Sequence, residues 1–313
     1  MGQAVVSLIT EDLFMTEDVN SMAVKAETDA ERGGYPSYSM LLSVYAGANV
    51  AHFDLAMQSV MEQTVPPTEV VIVEDGPIPY NLESSIKSWK KRCSCPVLVV
   101  SYESNRGLAY ALMVGVEACS CEFVARMDAD DWSHPERMRL ELKAINEDPK
   151  LDMVGSQIYE FIQSVDMPTS YTNLPLEHGE IVRFSKRRNP FRHPTMLMRR
   201  AAIIDCGNYR PDFLYFEDWD LFNRMLANGY KARNLPSALV AMRADSDFFE
   251  RRGGLSYLRY MWRFKSDQLK RGYFTLPQFL MTFIPHAVVC LIPNGARAFV
   301  YNMFLRKNNN LNS

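Results

Sequence analysis

The feature that most constrains the fold is an alternation of short apolar runs and amphipathic segments between residues 39 and 127. The apolar runs predict strands at 39–45, 69–73, 97–101 and 123–127. Helical periodicity appears between strands, at 50–63 and 108–118. Strands that alternate with helices pair in parallel, because each helix returns the chain to the same edge of the sheet. The sequence therefore predicts an α/β fold with a mostly parallel, Rossmann-like, nucleotide-binding sheet and helices on both faces.

A further helix is predicted from Pro135 to about residue 146, and a further strand at 153–161. The N-terminal residues show no sustained periodicity and are rich in Asp, Glu, Ser and Thr, which is typical of a flexible tail. Three segments are thus predicted: a flexible N-terminal tail at 1–36, the α/β domain at 37–240, and a basic, partly apolar helical C-terminal region at 241–313.

The C-terminal region is strongly basic, since residues 251–307 hold ten Lys or Arg against Asp267 alone. Such a surface suits phosphates or lipid headgroups, and a solvated helix face is the alternative. The stretch 272–296 has no charged side chain, but its three prolines argue against one membrane-spanning helix. We expect short amphipathic pieces on an anionic membrane surface, with packing onto the α/β domain as the alternative.

Six cysteines, together with the lack of an apolar secretory leader, indicate a reducing, cytoplasmic location. Two pairs are separated by a single residue, Cys93 with Cys95 and Cys119 with Cys121. Structural zinc sites usually have gaps of about two to four residues. We therefore predict free, buried thiols, with a zinc site as the alternative.

Polar residues follow the predicted strands, at the edge where open α/β sheets bind their ligands. They are Tyr45, Asp75, Asn105 and the segment 128–131. A single acidic residue after a strand is commonly a turn former or a helix cap, and this is the alternative for Asp75, which precedes Gly76. Several such residues at one edge instead indicate a polar binding site.

The Asp-Ala-Asp sequence at 128–130 gives the sharpest chemical signal. Carboxylates two residues apart in an extended segment point the same way, so both can face a hard cation such as Mg²⁺ or Mn²⁺, which neutralises a diphosphate. The alternative is a cap on the next helix, provided by Asp131 or Ser133. Capping uses only one residue and leaves Asp128 and Asp130 unexplained.

Glu217 and Asp218 form a second acidic site, at the start of a predicted helix. In the simplest alternative they only favour the helix N-terminus through its macrodipole. Group transfer to a hydroxyl, however, needs one carboxylate to take the hydroxyl proton while a cation stabilises a departing diphosphate. The two acidic sites together provide a group for each task.

Five motifs occur in a defined order along the chain. They are Ser-Val-Tyr at the end of the first strand, Val-Glu-Asp-Gly after the second, Asn-Arg-Gly-Leu-Ala, Met-Asp-Ala-Asp-Asp and Glu-Asp-Trp-Asp-Leu. The ordered set resembles family-2 glycosyltransferases over residues 39–225. The segment 189–195 resembles the one that these enzymes place beside the acceptor site. Residues 242–243 and 251–254 resemble the C-terminal region of bacterial capsule, exopolysaccharide and O-antigen transferases, the amylovoran-type galactosyltransferases among them.

The resemblance implies a GT-A fold for the catalytic domain at 37–240 and an inverting displacement that gives a β-linked product. It implies transfer of a hexose (galactose, glucose or an N-acetylhexosamine) from a UDP-sugar to a saccharide acceptor, with Mn²⁺ or Mg²⁺ as cofactor. A polyprenyl-diphosphate-linked acceptor in cell-surface polysaccharide synthesis would suit the basic C-terminal region and a peripheral position on the inner face of the cell membrane. No nucleic-acid partner is expected. Because the processive Gln-x-x-Arg-Trp motif is absent, we expect one sugar per encounter.

Carried over by position, the family's functional residues fall into four groups. The nucleotide-sugar pocket would comprise Tyr45, Asp75, Asn105, Arg106, Gly107, Asp128 and Ala129. The metal ligands would be Asp130 and Asp128, and the catalytic base would be Asp218. Glu217 would support the base or bind the acceptor. Contacts to the acceptor or the diphosphate would come from Arg192, His193, Arg243, Arg251 and Arg252. A structural role is the alternative for His193, and a surface turn is the alternative for the last two arginines.

Three other classes of protein stay open. A sugar nucleotidyltransferase would need a Gly-rich loop with Arg and Lys after the first strand, where residues 45–49 read Tyr-Ala-Gly-Ala-Asn. A hydrolase would use Asp130 and Asp218 as acid and base. A nucleotide-sugar-binding scaffold subunit would need neither carboxylate for turnover.

Overall fold

The computed structural model of the chain describes residues 34–244 and 254–291. The predicted N-terminal tail up to residue 33, Arg251 and Arg252, and the residues after 291 lie outside these ranges. The predictions made for the tail and for the two arginines therefore stay predictions.

The described ranges contain nine strands and nine α-helices. Strands β1 to β9 span Tyr38–Tyr45, Glu69–Asp75, Val97–Ser101, Phe123–Arg126, Trp132–Ser133, Leu151–Phe161, Pro168–Tyr171, Leu197–Arg199 and Lys231–Arg243. Helices α1 to α9 span Val50–Met61, Tyr80–Arg92, Leu108–Ala118, Arg137–Glu147, His178–Ser185, Arg200–Asp205, Glu217–Ala227, Gly254–Lys270 and Leu276–Leu291. A 3₁₀ turn spans His193–Thr195. Each predicted strand and helix is present, with ends displaced by a few residues at most.

One sheet contains all the described strands, in the order β3-β2-β1-β4-β8-β6-β9-β5, with β7 paired to β6. The first four strands, β1 to β4, pair in parallel as predicted. Strand β8 then enters antiparallel between β4 and β6, while β6 and β9 pair in parallel. The parallel half matches the predicted nucleotide-binding sheet, and the mixed half carries the segments that follow it in the chain.

Strand β1 is buried on both faces, which explains its almost uninterrupted apolar sequence. Met40 and Leu42 point to one face, where they pack with residues of α1, α2 and α4. Leu41 points to the other face, where its partners include residues of α3 and α7. The predicted placement of helices on both faces is therefore confirmed, and polar chemistry is confined to the strand ends.

A third apolar cluster attaches helix α8 to the α/β domain. Met261 and Phe264 of α8 are buried in it with Phe216 and Trp219, at the start of α7. The rings of Phe216 and Phe264 stack with their centroids 5.0 Å apart. Because the first turn of α7 carries the second acidic site, this packing helps to fix the position of that site.

Helix α9 packs on α8 through Phe279 and Phe283, whose ring centroids lie 5.4 and 5.1 Å from that of Trp262. It continues through Pro285 as one helix, whereas the sequence led us to expect short pieces. The aromatic packing on Trp262 involves the turns that precede Pro285, whose missing N–H removes one backbone hydrogen bond. Among the helices of the described ranges, none combines the length and apolarity needed to cross a bilayer.

Five cysteines are free thiols, as predicted: Cys93, Cys95, Cys119, Cys121 and Cys206. All of them except Cys93 are buried. Burial raises the pKa of the Cys119 thiol to about 12. That thiol is therefore protonated and unreactive at neutral pH.

Lys265, on the inner side of α8, is fully buried, and its Nζ lies 5.9 Å from the ring centroid of Trp219. No hydrogen-bond partner for this amine is found among the described residues. Burial disfavours the charged form and lowers the pKa of Lys265 from 10.5 to about 7. Folding at neutral pH must therefore either deprotonate this amine or bury its charge.

Replacing Lys265 by Met is expected to raise the free energy of unfolding at pH 7 by about 2–4 kcal/mol, because a buried amine is removed at nearly constant volume. Between about pH 7 and 10 the unfolded wild type binds more protons than the folded one, so its stability rises with pH, and the variant should lose this rise. Urea unfolding across this pH range measures both effects. Lys270→Met, at an exposed position of the same helix, is the control. An unchanged pH dependence in Lys265→Met would contradict the assignment.

Candidate active site

The strand-end residues singled out from the sequence meet at one edge of the sheet. Tyr45 and Asp75 lie opposite each other at the ends of β1 and β2, and Tyr45 is 52% exposed there. Strand β4 runs parallel to β1 with Arg126 opposite Leu41. The segment 128–131 therefore leaves the sheet at the same edge as Tyr45 and Asp75.

Asp75 is buried and holds the loop that follows β3. Its Oδ1 accepts hydrogen bonds from the Tyr102 hydroxyl at 2.8 Å and from the Arg106 N–H at 2.7 Å. Its Oδ2 accepts from the Gly107 N–H at 3.0 Å, and its carbonyl accepts from Asn105 Nδ2 at 3.1 Å. Asp75 therefore positions three other predicted pocket residues, and a direct contact from Asp75 to a nucleobase stays a prediction.

Gly76 allows the turn after β2 to approach the 105–107 loop closely. It has a φ of +78°, and a Cβ at this position would lie 2.4 Å from the backbone nitrogen of Asn105. Gly229 has a similar φ of +90° but open space around it. Substitutions at the two positions can therefore distinguish the effect of backbone strain from the effect of steric overlap.

Gly76→Ala is expected to lower the free energy of unfolding by about 2–4 kcal/mol, since it adds overlap with the 105–107 loop to the strain of a left-handed backbone. Gly229→Ala, which introduces strain alone, should lower it by only about 1 kcal/mol. Urea denaturation of both variants measures the difference. Equal losses of unfolding free energy in the two variants would mean that the 105–107 loop can move away from residue 76 at no cost in stability.

The segment 128–131 is fixed at both ends. Asp128 forms an ion pair with the buried guanidinium of Arg126. Asp131 is buried, and its Oδ1 accepts a hydrogen bond from the Arg243 N–H at 2.9 Å. Arg243 Nε donates to the carbonyl of Asp130 at 3.1 Å, which places this predicted diphosphate ligand beside the acidic segment. Helix α4 begins only at Arg137, and its N-cap residue makes no side-chain cap bond, so the alternative of Asp131 or Ser133 as its cap is wrong.

Crowding of carboxylates gives this segment a concentration of negative charge that would favour a bound cation. Loss of hydration, followed by repulsion from Asp128, raises the pKa of Asp130 to about 6. Burial and the same neighbours raise the pKa of Asp131 well above its ordinary value. The side chain of Asp130 still reaches solvent, and carboxylate oxygens are the ligands that Mg²⁺ and Mn²⁺ prefer. The donor set of Asp128 and Asp130 therefore fits the predicted metal.

No cluster of three or more His, Cys, Asp and Glu side chains able to hold a metal is found in residues 34–244 and 254–291. A cation at Asp128 and Asp130 would therefore depend on oxygen atoms of a bound ligand or of water for its other positions. Mg²⁺ commonly binds in this way, through one or two carboxylates together with substrate phosphates.

Arg126 is a residue that the sequence interpretation missed. Its side chain is buried, and Nε and Nη1 have no hydrogen-bond partner among the described residues. Its charge, after burial itself, lowers the pKa of His193 well below the ordinary value. The signal in the sequence was an arginine at the end of an apolar strand, since a buried charge needs a partner nearby.

His193 lies in the buried layer beneath the site. It is 8% exposed, and its Nε2 is hydrogen-bonded to the Tyr209 hydroxyl at 2.8 Å. Its ring also contacts Phe222, with centroids 5.9 Å apart. A neutral, enclosed imidazole supports the structural alternative for this residue.

Asp218 is half-buried in the first turn of α7. Its Oδ2 accepts a hydrogen bond from Asn189 Nδ2 at 2.8 Å, and its Oδ1 accepts from the Trp219 N–H at 2.6 Å.

Burial raises the pKa of the Tyr209 hydroxyl, and the charges of Asp218 and Glu217 raise it further, whereas Arg126 lowers it. Tyr209 therefore lies within electrostatic reach of the second acidic site and of Arg126, which forms the ion pair with Asp128.

The remaining predicted positions surround these groups. Arg106 lies 4.3 Å above the ring of Tyr110. Ala129 packs against the apolar cluster that covers one face of the sheet. The carbonyl of Arg192 accepts hydrogen bonds from the N–H and the hydroxyl of Thr195, so this residue fixes the start of the 3₁₀ turn.

A half-parallel sheet with paired carboxylates at its carboxyl edge, and a further carboxylate opening a helix beside them, defines the class as a GT-A glycosyltransferase. The PcManGT mannosyltransferase of Pyrobaculum calidifontis, solved with GDP-Man and Mn²⁺, has a similar fold, with a TM-score of 0.60, 13% identity and 92% of each chain covered. The predicted GT-A fold is therefore confirmed.

Sequence comparison gives the family. The model for "Glycosyl transferase family 2" matches residues 54–207. The amylovoran biosynthesis glycosyltransferase AmsE of Erwinia amylovora is 30% identical, with 84% of this chain and 97% of AmsE covered. The UDP-Gal:alpha-D-GlcNAc-diphosphoundecaprenol beta-1,3-galactosyltransferase of Escherichia coli is 29% identical, with 87% and 98% covered. The chain belongs to glycosyl transferase family 2, which confirms the resemblance found in its motifs.

Proposed function

We propose that this glycosyltransferase moves a hexose from a UDP-sugar to a saccharide carried on a lipid diphosphate, with inversion at the anomeric carbon. The observation that carries the proposal is a series of neighbours that links the two acidic sites. Asp128 forms an ion pair with Arg126, and Tyr209 lies within electrostatic reach of Arg126, Asp218 and Glu217. The donor and acceptor classes are supported by the name of the Escherichia coli relative. Galactose is the hexose that this name favours.

In the proposed reaction Asp218 acts as the base. Its carboxylate takes the proton of the acceptor hydroxyl, whose oxygen forms a bond to the anomeric carbon of the donor. The bond from that carbon to the diphosphate oxygen breaks, and UDP leaves with the electron pair. The hydrogen bonds from Asn189 and the Trp219 N–H keep the carboxylate oriented for this step.

At the other acidic site, Asp128 and Asp130 would hold Mn²⁺ or Mg²⁺, which supplies charge stabilisation for the leaving diphosphate. Arg126 keeps Asp128 in place through their ion pair. Arg243, which is held against Asp130 and Asp131, is positioned to contribute a further positive charge. Tyr45 and the loop at 105–107 would form the walls of the nucleotide pocket.

A lipid-linked acceptor would bring the enzyme to a membrane surface, so we propose a peripheral position on the inner face of the cell membrane. The basic composition of residues 251–307 supports this placement.

Two measurements test the proposed function. Calorimetric titration with UDP, GDP and dTDP, each with Mn²⁺ and with EDTA, should give metal-dependent binding of UDP alone. Incubation with UDP-galactose and a short-chain, water-soluble GlcNAc-diphosphate-lipid should then give a β-linked disaccharide and UDP. Release of free sugar without transfer would indicate a hydrolase, and binding of none of the nucleotides would overturn the donor assignment.

A further inference from the structure

Helix α9 presents an apolar face that no described part of the chain covers. Five large apolar side chains of this helix are each at least 42% exposed: Leu276, Leu280, Met281, Ile284 and Val288. Their spacing places them on one side of the helix, next to the side on which Phe279 and Phe283 meet Trp262. The helix therefore has one apolar side that is packed and a second that faces outward.

The outer side of helix α8 continues this surface with positive charge. Leu255, Arg259, Trp262, Arg263 and Lys270 are exposed, and their spacing places them on the side opposite the buried face of α8. Trp262 is half-exposed and also contacts α9, so it joins the two helices into one surface. We call this surface, formed by these five residues and the five apolar residues of α9, the docking face.

Acidic side chains are scarce beside the docking face. Helix α9 contains none, and α8 contains only Asp267. Asp267 is engaged by Arg210 at 2.9 Å and by Arg271 at 3.7 Å. An exposed ion pair joins Arg263 to Asp212 at 3.0 Å, which leaves Arg259 and Lys270 as the cations of the face for which no ion pair is seen among the described residues.

We propose that the docking face binds the surface of an anionic lipid bilayer, with α9 lying in the plane of the interface. Apolar side chains, a tryptophan and flanking cations on neighbouring helix faces are the combination that interfacial helices use to enter the boundary between headgroups and acyl chains. At about 1.5 Å per residue, α9 is about 24 Å long, which is shorter than the hydrocarbon core of a bilayer, about 30 Å thick.

Charge favours a bilayer over a second copy of this chain. A two-fold dimer through the docking face would bring the cations of one copy toward the cations of the other, and like charges across an interface oppose association. Anionic headgroups complement these cations instead, while the acyl region covers the apolar side of α9.

The inference rests on the proposed function only in its purpose, since a bilayer-bound α8–α9 pair would keep the active site near a lipid-linked acceptor. Helix α8 carries part of the docking face and also contacts Trp219, the residue next to the proposed base, so it connects the docking face to the active site. Binding to lipid alone can be measured without donor or acceptor, so the two proposals can fail separately.

The test is sedimentation of the full chain with vesicles of phosphatidylcholine and phosphatidylglycerol, and with vesicles of phosphatidylcholine alone. The protein should partition onto the mixed vesicles, and added salt should weaken this binding. Leu280→Gln with Ile284→Gln should reduce partitioning by about tenfold or more. Arg259→Gln with Lys270→Gln should reduce it by roughly 30-fold, since each cation contributes about fivefold at an anionic surface.

Matched controls use exposed residues outside the docking face. Ile162→Gln with Met167→Gln removes comparable apolar surface in the β6–β7 region, and Lys90→Gln with Lys91→Gln removes two cations of α2. Both double variants should partition as the wild type does, and circular dichroism should show that all four variants fold. Equal losses in variants and controls would overturn the proposal, as would absence of binding to mixed vesicles.

Light scattering and calorimetry separate the other outcomes. A dimer that Leu280→Gln with Ile284→Gln disperses, without vesicle binding, would assign the face to a second copy and overturn the lipid proposal. Intact UDP binding without vesicle binding would overturn only the docking face. Vesicle binding by a protein that binds no nucleotide would support the docking face and overturn the proposed function.

Discussion

Asp218→Asn should reduce kcat by about 10²–10⁴-fold while it leaves the affinity for UDP with Mn²⁺ nearly unchanged. The amide has the size of the carboxylate and can still accept the Trp219 N–H, but it cannot take a proton from the acceptor hydroxyl. Single-turnover kinetics with saturating UDP-galactose and acceptor measure the loss, and calorimetry measures the affinity for UDP.

Asp166→Asn is a matched control, because Asp166 is an exposed carboxylate in the turn between β6 and β7. It should retain the wild-type kcat. If Asp218→Asn turned over at a rate close to that of this control, the base would have to be another group. Glu217, the buried neighbour of Asp218, would be the first residue to replace next.

Asp130→Asn should weaken the affinity for UDP in the presence of Mn²⁺ by about 100-fold, and kcat should fall as well. The neutral amide removes one anionic oxygen ligand from a site where few protein ligands are available. Calorimetric titration in Mn²⁺ and in EDTA gives the affinity with and without metal.

The titration in EDTA serves as the internal control for Asp130→Asn. Without metal, the variant and the wild type should bind UDP equally weakly, since the change acts through the cation. A variant that kept the full difference between Mn²⁺ and EDTA would show that Asp130 is not a metal ligand. A loss of affinity of equal size in EDTA would indicate instead that the 128–131 segment had moved.

The strands and the helices between them could be predicted because the pattern of apolar residues in each segment follows directly from which of its faces are buried. Strand β1 lies in the middle of the parallel half of the sheet and is apolar on both faces, so a run such as Met-Leu-Leu has no other stable place. The polar residues that end this strand and β2 stand out against such runs. Their chemical types, carboxylates above all, were enough to indicate a cation and a diphosphate.

The sequence was less able to separate catalytic from structural carboxylates. Asp218 and Asp220 stand in the same motif, yet Asp220 is fully buried and binds Arg210 and Arg224 through Oδ2 at 2.9 Å each. Asp130 and Asp131 are adjacent, yet only Asp131 is buried under Arg243. Which carboxylate meets solvent depends on neighbours that are distant along the chain.

The sequence by itself determined the α/β class, the order of the strands along the chain and the chemical groups at their ends, because periodicity and residue type are local properties. Only the tertiary structure decided that Asp75 holds the 105–107 loop, that Asn189 orients Asp218, and that Tyr209 lies within electrostatic reach of both Arg126 and Asp218. These contacts join segments far apart in the chain, and hydrogen bonds and charges act through distances in space that no local pattern encodes.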